Sequence, residues 1–168
     1  MEQTERRFKS MDSQERETVE TTGMPGAYRK ILVGTDGSVC SERAAAHAVY
    51  LARSLGARLY AVNSVNVERA FSAGIHFGEA VTELEKAGRE ATAAIRAMAD
   101  AAGVECEEIL KSGRPHRVII QTADEVDADL IVVGSTGMTS LERALIGSES
   151  ENLMRYSKRP VLIIHQPN

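Results

Sequence analysis

The 168-residue chain has no tryptophan, and aromatic residues make up only 4% of it. A hydrophobic core must therefore be built mainly from Ala, Val, Ile and Leu, the side chains typical of parallel strands and their covering helices. The chain also lacks an excess of basic residues: 20 basic and 24 acidic side chains give a formal net charge of -4. No basic stripe of the kind that binds nucleic acid is visible. The composition favours one globular α/β domain and argues against a nucleic-acid-binding protein.

The sequence has no apolar run of the about 18 residues that a membrane helix needs, and its start lacks the apolar centre of a signal peptide. Its two cysteines, Cys40 and Cys106, lie far apart, and its four histidines lack the spacing of zinc ligands. These features argue against a disulfide framework and a structural zinc site. We therefore expect free thiols in a reducing compartment and a cytoplasmic protein.

Residues 1–27 differ in composition from the rest of the chain. They carry six acidic and four basic residues among only scattered apolar ones. Such a segment cannot bury enough apolar surface to offset the entropy lost on ordering. We interpret residues 1–27 as a flexible charged N-terminal extension and residues 28–168 as one folded domain.

From residue 30 onward, short apolar runs alternate with stretches of helical period. The runs predict strands over residues 30–35, 58–65, 105–111, 130–133 and 161–164. Helices are predicted over residues 41–55, 79–102 and 115–125, and a last helix opens near residue 148. Strands separated by helices predict right-handed crossovers and a parallel sheet. The predicted fold is therefore α/β, a doubly wound five-stranded parallel sheet of order 3-2-1-4-5 with a Rossmann-like nucleotide-binding architecture.

In this order the carboxyl ends of strands one and four flank the point where open α/β sheets bind ligands. Neither standard phosphate motif is present: no Gly-Lys pair occurs for a Walker loop, and no GxGxxG follows the first strand. Instead, Gly134-Ser135-Thr136-Gly137 follows the fourth strand, and Gly147-Ser148 comes nine residues later. Glycines there let the backbone approach an anion, and N–H groups at a helix start can bind phosphate. The same residues also occur in α/β turns that bind nothing, so both interpretations stay open.

The start of the last helix has a second signal. Ser148 and Glu151 have the spacing of a capping box, which predicts that Ser148 caps this helix.

The glycine spacing resembles that of a known family. Gly134, Gly137, Gly147 and Ser148 match the G-x2-G-x9-G-[ST] motif of ATP-binding universal stress proteins without a gap. Segments 33–38, 63–65 and 159–164 are similar to that family as well, so that the resemblance covers about residues 28–165. It implies a stress-response protein that binds ATP, with Mg²⁺ carried by the nucleotide.

The resemblance also implies roles for individual residues. Thr35 and Asp36 would lie beside the nucleoside and the metal ion, with Asp36 as a ligand of the Mg²⁺. Main-chain atoms around Ser64 and Val65 would hold the adenine edge. The rest of the site would be Val133 near the adenosine, Gly134, Thr136 and Gly137 along the ribose and phosphates, and Gly147, Ser148 and Ser150 at the phosphates. Glu149 stands among these last residues and is counted with the site, although it departs from the family.

The two acidic residues of this set need separate comment. Asp36 suits a ribose hydroxyl or a Mg²⁺ shell, but it can equally cap the first helix together with Ser38. Glu149 stands where members of that family commonly carry a small apolar residue. Beside a triphosphate its carboxylate would repel the ligand unless a divalent cation lay between them. The sequence therefore predicts metal-dependent binding, with Glu149→Val raising the affinity when metal is absent.

Two classes of function follow. One is a nucleotide-binding stress or signalling module, and the other is a slow ATPase or a phosphoryl or adenylyl transferase. Phosphoryl transfer needs cationic clamps, and the motif segment has no lysine and no assured arginine clamp, so the sequence favours binding. A homodimer through strand 161–164 is also expected, because an apolar edge strand favours pairing with a second copy. We further expect an unidentified signalling partner, and His116 as a solvated residue at a helix start.

Overall fold

The computed structural model describes residues 28–68, 77–137 and 146–165. The predicted charged extension, residues 1–27, lies outside the described residues. In chain order the elements are β1 (Lys30–Gly34), α1 (Val39–Leu55), β2 (Arg58–Val65), α2 (Phe77–Ala101), β3 (Cys106–Ser112), α3 (Pro115–Glu125), β4 (Leu130–Gly134), α4 (Ser148–Tyr156) and β5 (Val161–Ile164).

The strands form one parallel five-stranded sheet in the order β3-β2-β1-β4-β5, which confirms the predicted fold class and strand order. The predicted boundaries differ by one or two residues. Thr35, for example, follows β1 rather than ending it, although its N–H still donates to Val62 O at 2.9 Å. Because β1 pairs with β2 on one side and with β4 on the other, the carboxyl ends of β1 and β4 lie side by side at the switch point.

Helices cover both faces of the sheet. Ile31 and Val33 of β1 pack against α1 and α2 on one face, while Leu32 packs against α3 and α4 on the other. None of these three side chains has exposed surface. Successive strand residues point to opposite faces, so a strand buried on both faces is apolar at every position. Among the described residues, no helix is long and apolar enough to cross a membrane.

Three helices begin at the carboxyl edge of the sheet. Ser38 caps α1, since its Oγ accepts a hydrogen bond from the Ser41 N–H at 3.2 Å. α3 begins at Pro115, where the missing N–H costs nothing. The N-cap of α4 is Gly147, so the predicted capping role of Ser148 is wrong. The reason is tertiary: the Gly147 N–H donates to Ser135 O at 2.7 Å, which holds Gly147 extended outside the helix.

Candidate functional site

The residues after β1 and β4 meet at the carboxyl edge of the sheet. A Cβ atom built on Gly137 would come within 2.7 Å of the Asp36 Oδ2 atom. That is closer than a side-chain carbon can lie to an oxygen, so any other residue at this position would require the Asp36 carboxylate or the loop after β4 to shift. The structure thus brings together two of the residues that the sequence placed at this edge.

Two side chains fix the turn after β1. Asp36 Oδ1 accepts a hydrogen bond from the Ser38 N–H at 3.0 Å, and Thr35 Oγ1 accepts one from the Gly37 N–H at 3.1 Å. Asp36 therefore supports the approach to α1, as the capping interpretation has it. Its other oxygen faces the loop after β4. The carboxylate bridges two segments of the site with different oxygens.

Asn63 is a site residue that the sequence reasoning missed. Its Nδ2 donates to Thr35 O at 2.9 Å, which ties the end of β2 to the turn after β1. The side chain is buried against Gly88 of α2, where an added Cβ would lie 2.4 Å from Asn63 Oδ1. Asn63 thereby positions the backbone that leads to Asp36. An amide inside an otherwise apolar strand was the available signal, because buried amides are kept where they bind main-chain groups.

Cys40 packs against the end of β4 and the loop that follows it. A Cβ on Gly134 would lie 2.9 Å from Cys40 Sγ, so this glycine too is required for close packing. The Cys40 thiol donates to Ile164 O at 3.4 Å and lies 3.7 Å from Ser135 Oγ. Burial raises the pKa of the Cys40 thiol, but hydrogen bonds from Thr136 and Ser135 together lower it below its ordinary value. The sequence identified Cys40 only as a free thiol, which it is.

The start of α4 is fastened to the same loop. Besides the bond from the Gly147 N–H to Ser135 O, the Ser150 hydroxyl donates to Gly134 O at 2.9 Å. A Cβ on Gly147 would lie 3.3 Å from Ser135 O and 3.7 Å from Thr136 Cα. Ser150 is therefore buried and joins the helix to the loop. Its main-chain N–H, like that of Ser148, belongs to the first turn of α4, whose N–H groups have no partner within the helix.

Glu149 extends from this turn toward α3. Its Oε2 atom accepts a hydrogen bond from the His116 N–H at 2.9 Å and lies 2.8 Å from His116 Nδ1. The expectation that His116 is solvated is wrong, because its side chain is only 13% exposed. The physical reason is that α3 and α4 pack together and place the two residues in contact.

Of the predicted adenine-side residues, Ser64 and Val65 lie in β2 and Val133 lies in β4, so they flank β1 on opposite sides. Ser64 Oγ donates to Gly113 O at 2.6 Å, and Val65 O accepts from the Gly113 N–H at 3.0 Å. Val133 is buried in the core, where its Cγ1 lies 3.2 Å from a Cβ position on Gly34. Ser64 and Val65 thus lie at the carboxyl end of β2, whereas Val133 is a core residue one position before the end of β4.

Within the described ranges, no three His, Cys, Asp or Glu side chains are grouped to hold a metal ion. A Mg²⁺ at this edge would depend on Asp36 and on oxygens that a ligand brings with it. A separate groove of about 730 Å³ lies between α3 and α4, away from the glycine loop. Its lining includes Arg114, His116, Arg117 and Tyr156.

Comparison with known proteins identifies the family. The model of the universal stress protein family matches residues 27–165. A universal stress protein of Methanocaldococcus jannaschii is 37% identical over 142 residues, which is 83% of this chain and 84% of that protein. A putative universal stress protein of Staphylococcus aureus is 31% identical over 139 residues, 82% of this chain and 84% of that protein.

Solved structures agree with the sequence comparisons. The chain is similar to a universal stress protein in complex with cAMP, with 33% identity and a TM-score of 0.61 over 83% of this chain and 98% of that one. It is also similar to a universal stress protein from Archaeoglobus fulgidus in complex with dAMP, with 27% identity and a TM-score of 0.61 over 83% and 99% of the two chains. This chain belongs to the universal stress protein family.

Proposed function

We propose that the protein binds an adenine nucleotide, and ATP in particular, at the carboxyl ends of β1 and β4. The observation that carries the proposal is the contact of Gly137 with Asp36, which sets a glycine-rich backbone beside a carboxylate at the switch point. The Gly147 to Ser135 hydrogen bond adds the N-terminus of α4, where N–H groups and the helix dipole favour anions. Nucleotide complexes of similar proteins support the same ligand class.

The proposed roles follow from position along this edge. The nucleoside binds beside Thr35 and Asp36, with its adenine edge at the main chain of Ser64 and Val65 and the adenosine near Val133. The phosphates bind the main chain of Thr136, Gly137, Ser148 and Ser150. Gly134 and Gly147 lie beside them and allow the loop and the start of α4 to pack closely. Asp36 is the residue that would hold a Mg²⁺ accompanying ATP, since its carboxylate lies in the crevice and Mg²⁺ prefers oxygen ligands. Glu149 belongs to the same turn of α4, but its carboxylate is bound to His116 of α3 rather than facing the proposed phosphate position.

We infer a binding module of the stress response whose nucleotide-bound state is recognised by a signalling partner in the cytoplasm. The two free, buried thiols fit a reducing compartment. Mass spectrometry of the purified, gently denatured protein is expected to release an adenine nucleotide. Single-turnover assays of the wild type and Asp36→Ala are expected to show no hydrolysis that depends on Asp36. A protein that neither carries nor binds any adenine nucleotide would overturn the proposal.

We also propose a homodimer formed through β5. β5 lies at the edge of the sheet, and its four apolar residues are only partly buried. Pro160 O accepts a hydrogen bond from the Ile131 N–H of β4, and Ile164 O accepts one from the Ser135 N–H just after β4. The alternation of a strand therefore directs the N–H of Ile163 away from the sheet. An unpaired apolar edge of this kind favours pairing with a second copy.

The dimer prediction is tested by light scattering at micromolar concentration. The wild type is expected to have about twice the chain mass of 18.2 kDa. Ile163→Pro removes the outward N–H without removing a bond to β4, and edge strands tolerate proline, so this variant is expected to be monomeric and folded. A wild-type mass of one chain would exclude the dimer.

A further inference from the structure

The Glu149 carboxylate lies in the segment proposed to bind phosphates, yet it is bound to a different helix. Glu149 is the second residue of α4, and His116 is the second residue of α3. Both the N–H and the ring Nδ1 of His116 lie within hydrogen-bond distance of Glu149 Oε2, at 2.9 and 2.8 Å. One carboxylate therefore bridges the N-terminal ends of two helices.

The contact assigns a proton to the ring. An ionised carboxylate only accepts hydrogen bonds, so the Nδ1 atom of His116 must carry the proton and donate it. This holds whether the imidazole is neutral or charged. Among the described residues the start of α3 has no competing cap, since Arg114 makes no side-chain bond to the helix and Pro115 has no N–H. Glu149 therefore supplies a cap that α3 otherwise lacks.

The two partners differ in freedom to move. The His116 side chain is 13% exposed, whereas that of Glu149 is 44% exposed. The ring is thus fixed by its surroundings, and the carboxylate is the group that can rotate. A rotated carboxylate is attracted to the N-terminus of its own helix, where the dipole stabilises a negative charge. That position is the one proposed for the phosphates.

We propose that His116 is a positioning residue of the phosphate-binding turn: its ring holds the Glu149 carboxylate against α3 and keeps this charge away from the nucleotide's phosphates. The inference rests on the proposed function. The sequence alone predicted that removing the Glu149 charge raises the affinity when metal is absent. The inference changes this expectation, because in the intact protein the ring already holds the carboxylate away from the phosphates. Glu149→Gln alone is expected to change ATP affinity by no more than about threefold, and the repulsion appears only when the ring is removed.

The test is a double-mutant cycle of the wild type, His116→Leu, Glu149→Gln and the double variant. Isothermal titration calorimetry with adenosine, AMP and ATP, at fixed salt and with chelator, measures each affinity. His116→Leu is expected to weaken ATP binding about tenfold and AMP binding less, while adenosine binding is unchanged, because repulsion grows with ligand charge. In the Glu149→Gln background, His116→Leu is expected to leave ATP affinity unchanged.

His116→Asn is the matched control, because its amide N–H can replace the Nδ1 donor; it should bind ATP within about threefold of the wild type. Thermal unfolding followed by circular dichroism checks that each variant folds. If His116→Leu does not fold, His116→Ala replaces it in the cycle, since alanine removes the ring without adding bulk.

Three results would overturn the inference: an unchanged ATP affinity in the ring-deleted variant, an equal loss for adenosine and ATP, or a loss that Glu149→Gln does not repair. The second and third would assign His116 a packing role only. A wild type that binds none of the three ligands would instead remove the proposed function, and this inference with it. The two failures are therefore distinguishable.

Discussion

Replacing Gly137 with valine is expected to weaken adenine-nucleotide binding about 100-fold while the domain still folds. The first carbon of the new side chain would already lie 2.7 Å from Asp36 Oδ2, and the two methyl groups need further space. Either the Asp36 carboxylate must rotate away or the loop after β4 must move, and both changes separate the backbone N–H groups of the loop from the carboxylate. Overpacking of this kind costs about 1–3 kcal/mol. If the bound state bears this cost, the affinity for adenine nucleotide falls by about 5- to 150-fold.

Isothermal titration calorimetry with adenine nucleotide measures this loss of affinity, and valine substitutions at two other glycines provide graded controls. At Gly147 the added Cβ would be 3.3 Å from Ser135 O, a milder conflict, so Gly147→Val is expected to lose about tenfold. At Gly78 no atom of the described residues lies within 4 Å of the added Cβ, so Gly78→Val should bind like the wild type. Folded Gly137→Val and Gly147→Val proteins with undiminished affinity would show that phosphates do not bind this backbone.

Gly88→Ala is expected to lower the free energy of unfolding by about 2 kcal/mol, although alanine is the better helix former. An added Cβ would lie 2.4 Å from Asn63 Oδ1 and 2.6 Å from Leu110 Cδ1. The leucine methyl can move, but the buried amide is held by its bond to Thr35 O. The clash is therefore relieved only by separating α2 from β2 or by breaking that bond.

Gly78→Ala is the matched comparison, since it makes the same change in the same helix at an open position. It is expected to stabilise the protein by up to about 1 kcal/mol, because alanine loses less backbone entropy than glycine. Urea unfolding followed by circular dichroism measures both variants. The change in the free energy of unfolding is expected to have opposite signs in the two variants. A Gly88→Ala protein as stable as Gly78→Ala would contradict the packing of Asn63 against α2.

The fold could be predicted from the sequence because its signals are local. Each central strand contains a run of three or more consecutive apolar residues, and the helices between the strands have a 3.6-residue period, so element types and their alternation followed directly. Alternation then restricts the connections to right-handed crossovers and the sheet to a parallel one. Boundaries were less accurate, as at β1 and β3, since a strand's last residue is decided by which neighbour it pairs with.

The site could be predicted only in part. Glycines at fixed spacing are visible in the sequence, and the structure explains Gly134, Gly137 and Gly147 by close approaches to Cys40, Asp36 and Ser135. The side chains that hold those loops were missed or misjudged. Asn63 gave only the weak signal of an amide in an apolar strand, and His116 was expected to be solvated.

The sequence by itself determined the α/β alternation, the parallel sheet and the position of a glycine-rich crevice, because periodicity, glycine and helix-start signals act within a few residues. Only the tertiary structure decided which groups meet there. Asp36 with Gly137, Asn63 with Thr35 and Glu149 with His116 are pairs from different elements. Their contacts arise when helices pack on the sheet, and no local pattern encodes a distance between residues so far apart in the chain.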